Sequence, residues 1–220
     1  DANVELVIKV LDARGINGYY WIFYGALSNI EYTITVTDTV TGSSRSYFNP
    51  SGAFASVGDT SALPGDGKVI NEHTVVRIDD TGGGHDYLLT RDQVWTELVG
   101  HSESFGNCIP GSTNLCLNDN RFRVDVSWRD FGGATGVGQA SPLSGDTGTF
   151  WFFDSTNIEL ILKVLDGRAI NQHFWVFFGA LSNVQYTITV TDTDTGAVKQ
   201  YTNPLGTFGS VGDTSAFFVP

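Results

Sequence analysis

The residues best suited to chemistry are few and scattered. Cys108 and Cys116 bound the segment CIPGSTNLC, in which Pro110 and Gly111 favour a turn. A disulfide is the favoured reading, and closing so short a loop would contribute about 2–3 kcal/mol in the chain-entropy picture. Free buried thiols and a reactive cysteine are the alternatives. A zinc site would need four ligands at metal spacing, and no second Cys or His pair accompanies these two. A nucleophilic cysteine would need a base from among His73, His85, His101 and His173.

Two acidic segments invite a metal. DDTGGGHD (Asp79 to Asp86) gathers three carboxylates and His85 around glycines, a set able to hold a divalent cation. Asp and Gly also belong at a hairpin tip, which is the plainer reading because no regular ligand spacing appears. TDTDTG (Thr191 to Gly196) has a calcium-like look, yet Asp194 corresponds to Val40 in a second copy of the segment, so a shared site would have lost a ligand. Asp12, Arg14 and Asn17 recur as Asp166, Arg168 and Asn171, and read as a turn held by an Asp–Arg pair and an Asn side chain. Glycoside hydrolysis needs two carboxylates close in space, which spacing in sequence cannot decide. There is no nucleophile elbow, phosphate loop or HExxH, and FGGATGVG lacks the strand–glycines–helix setting of a dinucleotide site. No metal, cofactor or catalytic residue is expected, and the chain reads as a non-enzyme.

The elements that would position these residues come from a repeat. Asn3–Leu63 aligns without a gap to Asn157–Phe217, an offset of 154 residues, with 39 of 61 positions identical. NVELVIKVLD answers NIELILKVLD, and NPSGAFASVGDTSA answers NPLGTFGSVGDTSA. Each copy reads as β. Tyr32, Ile34 and Val36 alternate with threonines, the period of a half-buried strand. Leu6, Ile8 and Val10 alternate likewise, with Glu5 and Lys9, and their partners Glu159 and Lys163, on the polar side. Trp21 and Phe23, with Trp175 and Phe177, form an aromatic strand. Asp38 to Gly42 and Asp192 to Gly196 read as hairpin loops, and the strands begun by Tyr47 and Tyr201 stop at Asn-Pro.

Upstream of the second copy, RFRVDVSW (Arg121 to Trp128) and TFWFF (Thr149 to Phe153) read as two more strands, joined by a glycine-rich loop. Unit two then has six or seven strands in about 110 residues, the pattern of an immunoglobulin-like sandwich. Unit one begins at the position equivalent to Ser155 and lacks both added strands. Such a unit exposes an apolar groove and a bare edge. KVINEHTVVRIDD and DYLLT could fill the gap in cis, a neighbouring molecule could donate a strand, or further residues could lie upstream. Thr90 and Gln93 resemble a capping box, predicting one short helix near 91–99.

The expected fold class is therefore all-β, with tandem immunoglobulin-like β-sandwich units. Residues 1–63 form an incomplete unit, 64–107 a unique connecting segment and 108–220 a complete unit. The net charge of −12, from 24 acids against 12 bases, disfavours nucleic acid and anionic membranes as partners. No apolar run is long enough to span a bilayer. An opening at Asp1 fits a processed chain or a fragment, and the cysteine pair points outside the cytoplasm. There is no Asn-x-Ser/Thr sequon, while the Thr- and Ser-rich strand faces leave O-glycosylation open.

The run from CIPGSTNLCLNDNRFRVDVSWRD through FWFF, NIELILKVLDGR and FWVFFGALSN to YTITVTDTDTG resembles a widespread, uncharacterised β-sandwich repeat module of secreted bacterial proteins. The resemblance covers unit two and the truncated unit one, but not Pro64 to Asn107. More loosely, the half-unit phase is similar to protomers of extracellular bacterial filaments. It implies a secreted, self-associating structural protein of a filament or surface layer, and brings no catalytic residues. The alternative is an accessory module binding carbohydrate or another surface. Tyr19, Tyr20 and Tyr24 would then stack on a glycan, although their partners His173, Phe174 and Phe178 read as core.

Overall fold

The computed structural model describes residues 4–65, 74–80, 83–89 and 106–219. The described residues are mostly strand. In unit two, β8 (Asn114–Leu117), β9 (Phe122–Arg129), β10 (Thr135–Val137), β15 (Gln185–Asp192) and β16 (Val198–Asn203) make one five-stranded sheet. The other runs in the order β11 (Gln139–Pro142), β12 (Thr147–Trp151), β13 (Leu160–Asp166), β14 (His173–Ala180), β17 (Ser210–Phe218). Alternating residues of both sheets meet in one core, where Phe122, Val124, Phe150, Leu162, Val176 and Ile188 have no exposed surface. Phe122 is wedged against Phe174 and Phe217, with ring centroids at 4.7 and 5.1 Å.

Unit one repeats this plan with fewer strands. β1 (Leu6–Ala13), β2 (Tyr19–Ala26) and β5 (Ser56–Pro64) form a three-stranded sheet. β3 (Tyr32–Asp38) and β4 (Ser44–Asn49) join β6 (Thr74–Asp80) and β7 (Gly83–Leu89) in a second. β6 stands beside β3 where β9 stands beside β15: Val36 faces Val76 as Val190 faces Val124. The unique segment thus completes this sheet in cis; of DDTGGGHD, Asp79 and Asp80 end β6 and Gly83 to Asp86 lie in β7, with Asp80 facing Gly83.

Several expectations need correction. The glycine-rich stretch after β9 was expected as a loop, but it carries β10, β11 and the start of β12, raising unit two to ten strands. β10 and β11 have only three and four residues, too few for alternation to show. SVGDTSA gave no strand signal and forms most of β5 and β17. The LDARGIN and LDGRAIN turns each contain one helical turn, α1 (Arg14–Asn17) and α2 (Arg168–Asn171). The helix expected near 91–99 lies outside the described residues.

The polar side of β13 does not face water. There the two sandwiches pack back to back, and Glu159 and Lys163 are each 1% exposed. Ile161 and Phe177 of unit two meet Val4, Val7 and Phe54 of unit one. The contacts are reciprocal at the repeat offset. Lys9 Nζ donates to Ile158 O at 2.8 Å, and Lys163 Nζ to Val4 O at 3.1 Å. The Phe208 ring lies over Gly58, and the Phe54 ring over Gly212. Ser56 pairs with its own equivalent, Ser210, at 2.5 Å. This is the pattern of a local twofold axis between the units. The axis passes Gly25 and Gly179, where a Cβ on Gly25 would stand 2.9 Å from the Gly179 carbonyl carbon.

Candidate functional site

The site is the outer edge of β1. β1 and β13 are nearly the same sequence, yet their surroundings differ. β13 pairs with β14 on one side and β12 on the other. Among the described residues β1 pairs only with β2. Leu160, Leu162 and Val164 are fully buried, whereas Leu6, Ile8 and Val10 are only half-buried. An edge strand with unpaired backbone groups beside half-covered aliphatic side chains is a template for another strand.

Unit two shows what covers this place when it is filled. Thr147, Gly148, Thr149 and Phe150 stand opposite Lys163, Leu162, Ile161 and Leu160. Phe150 is fully buried in the core. Phe152 follows it inward, and its backbone N–H donates to Glu159 Oε2 at 2.6 Å. Asn157 Nδ2 donates to the other carboxylate oxygen, and Lys9 Nζ donates to Asn157 Oδ1 at 2.7 Å. Burial pushes the Glu159 carboxyl up from its ordinary range, against the Phe152 N–H, the Lys9 charge and the Asn157 amide. Burial likewise pulls the Lys9 ammonium down, against the Glu159 charge. Lys163 is pulled down by burial and held back by Glu5, whose carboxylate lies 3.5 Å away. Glu5 therefore stands in unit one where Glu159 receives the β12 chain in unit two.

The structure places the other sequence candidates elsewhere. Cys108 and Cys116 are joined in a disulfide, with Cα atoms 5.7 Å apart. It ties the entry of unit two to β8. Asp12 and Asp166 each grip their Arg through two hydrogen bonds. Asn17 and Asn171 donate to Thr60 O and Thr214 O and accept from the indoles of Trp21 and Trp175. These motifs fasten the ends of β1, β2 and their counterparts. In TDTDTG, Asp192 is turned inward to Arg121, at 2.8 and 2.9 Å, and to the Thr195 hydroxyl. Burial works to raise the Asp192 carboxyl, but these bonds and the Asp194 N–H outweigh it and hold it low.

A cleft of about 190 Å³ at this end of unit two is lined by Arg121, Asp166, Arg168, Phe174 and Asp194 among others. Both guanidinium groups lie over the Phe174 ring, at 4.7 and 4.8 Å from its centroid. Each is already paired to aspartate, so the cleft offers an anion no uncommitted charge. It is a clamp between strands. Among the described residues no group of three or more His, Cys, Asp or Glu could hold a metal ion. Comparison with protein-family models, curated proteins and solved structures finds no match.

Sequence reasoning missed the Lys9–Asn157–Glu159 chain. One signal was present: Glu and Lys are the same in both copies of this strand, while the exposed strand SSRSYF differs from AVKQYT at nearly every position. A charge kept where neighbours drift marks a face that touches something.

Proposed function

We propose that this chain is an extracellular structural protein, a β-sandwich subunit that self-associates into a filament or surface layer. The observation that carries the reading is the outer edge of β1, which pairs with no strand there among the described residues and lies beside aliphatic residues whose equivalents in unit two are wholly covered. Long-lived exposure of such an edge is unfavourable in water, and strand pairing between copies removes it. Head-to-tail contacts of this kind produce linear polymers wherever the rotation between copies does not close a ring. The disulfide fits an oxidising compartment, at the cell surface or in a released filament. No described helix is long and apolar enough to cross a membrane. The buried pairs and committed charges serve packing, and the reading assigns the chain no catalysis.

The glycan-binding alternative requires a row of rings facing solvent. Tyr24, Phe174 and Phe178 are buried, and Arg14 lies over the Tyr20 ring at 4.7 Å. Tyr19 and His173 remain at the rim, and His173 packs against Phe218. Those tyrosines and their partners therefore form no exposed stacking row.

Negative-stain imaging with light scattering on the 220-residue chain tests the proposal. Regular fibres or sheets are expected as concentration rises. A chain that stays a monodisperse monomer throughout overturns it.

A further inference from the structure

We propose that Lys9 and Asn157 join in an isopeptide bond, formed by the folded chain itself with Glu159 as the proton carrier, which welds unit one to unit two. Three side chains far apart in sequence meet at the back-to-back contact. Lys9 Nζ donates to Asn157 Oδ1 at 2.7 Å and to Ile158 O at 2.8 Å. A carbonyl carbon sits about 1.2 Å from its oxygen, so Nζ lies within about 4 Å of Asn157 Cγ, at the edge of near-attack range. Asn157 Nδ2, the nitrogen that would leave, donates to Glu159 Oε1. The Phe152 N–H holds the other carboxyl oxygen at 2.6 Å. The Phe23 ring centroid is 5.0 Å from Lys9 Nζ, and Glu159 is 1% exposed, so the reacting groups sit largely out of water.

Burial works against both charges, pulling the ammonium down and the carboxyl up, and so favours the uncharged amine and acid that the reaction needs. With Lys9 as the amine and Glu159 as the acid, the Nζ lone pair attacks Asn157 Cγ and the C=O electrons move onto Oδ1. As the carbonyl re-forms, Glu159 gives its proton to Nδ2, the Cγ–Nδ2 bond breaks and ammonia leaves. The carboxylate takes the surplus proton from Nζ, which by then shares Cγ with Nδ2, and ends as the acid it began as. One C–N bond forms and one breaks, with no oxidant or co-reactant. The bond forms once per chain and turns over no substrate. Lys163, the counterpart of Lys9, faces Val4 O and the Glu5 carboxylate. Asn3, the counterpart of Asn157, lies outside the described residues, so one bond is assigned.

Mass spectrometry of the reduced, denatured 220-residue chain tests the bond. The chain should weigh about 17 Da less than its sequence, the mass of the ammonia lost. Trypsin cannot cut after a modified Lys9, so the digest should contain residues 1–14 joined to residues 130–163. Fragmentation should place the link between Lys9 and Asn157. A full sequence mass, or residues 1–9 released as a free peptide, overturns the proposal. So does an ammonia loss at Asn157 that persists in Lys9→Arg, because an asparagine closing on its own backbone sheds the same mass. Glu159→Gln keeps an acceptor for the Phe152 N–H but carries no transferable proton, and should slow linkage after refolding by at least about a hundredfold. Linkage at the unaltered rate in that variant overturns the proton-carrier role. The digest of the unaltered chain decides the bond even where a variant fails to fold.

Discussion

Two residue-scale features decide how closely the sandwiches approach. Gly25 and Gly179 meet across the local axis, and a Cβ on either would sit 2.8–2.9 Å from the partner's backbone. Backbone cannot swing aside as a side chain can, so the layers must part. Gly25→Ala or Gly179→Ala should cost about 1–3 kcal/mol, read as a lower denaturation midpoint. Once one methyl has opened the gap the second has less to displace, so the double variant should lose less than the sum. Glu159 makes a different prediction. Its folded pKa is raised from 4.5 to about 7, so the folded chain keeps a proton there that the unfolded chain releases. The associated stability is present below pH 4.5 and lost as pH rises through about 7, by up to about 3 kcal/mol. Glu159→Gln keeps an acceptor for the Phe152 N–H and should flatten that slope in urea midpoints measured from pH 4.5 to 7. An unchanged slope would show that the carboxyl ionises in the fold as it does in water.

At the scale of elements, the disulfide fastens β8 before β9 crosses the core. The bridge spans eight residues, and replacing Cys108 and Cys116 together by Ser should cost about 2–3 kcal/mol. Calorimetry should show the melting point falling by several degrees with unit two's near-ultraviolet signal intact below it. The same scale shows what a sequence can disclose. The Tyr32–Val36 and Phe122–Val126 alternations were legible because one face of each strand is core and the other is wet. The repeat was legible as well. β5 and β17 were not. Gly58 and Gly212 are strand-averse residues demanded by the Phe208 and Phe54 rings above them. Asp59 and Asp213 are there to accept from Tyr47 and Tyr201. Each is chosen by a neighbour remote in sequence, as are Glu159 and Lys163, whose burial arises only when a second sandwich covers them. Pattern within one strand cannot report such partners.

For the whole molecule, the local twofold consumes one face of each sandwich inside the chain. On the proposed reading, growth by strand pairing occurs at the β1 edge and leaves the back-to-back contact intact. Each copy brings a net charge of −12 to that joint. Like charge opposes approach at long range, whereas strand pairing and burial of Leu6 and Ile8 act only at contact. Screening should therefore favour assembly: the Debye length falls from about 30 Å at 0.01 M salt to about 8 Å at 0.15 M. Raising sodium chloride across that interval should shorten the lag and increase the rate of fibre growth followed by light scattering. Slower growth in salt would mean that ion pairs, and not an apolar strand groove, hold the joint together.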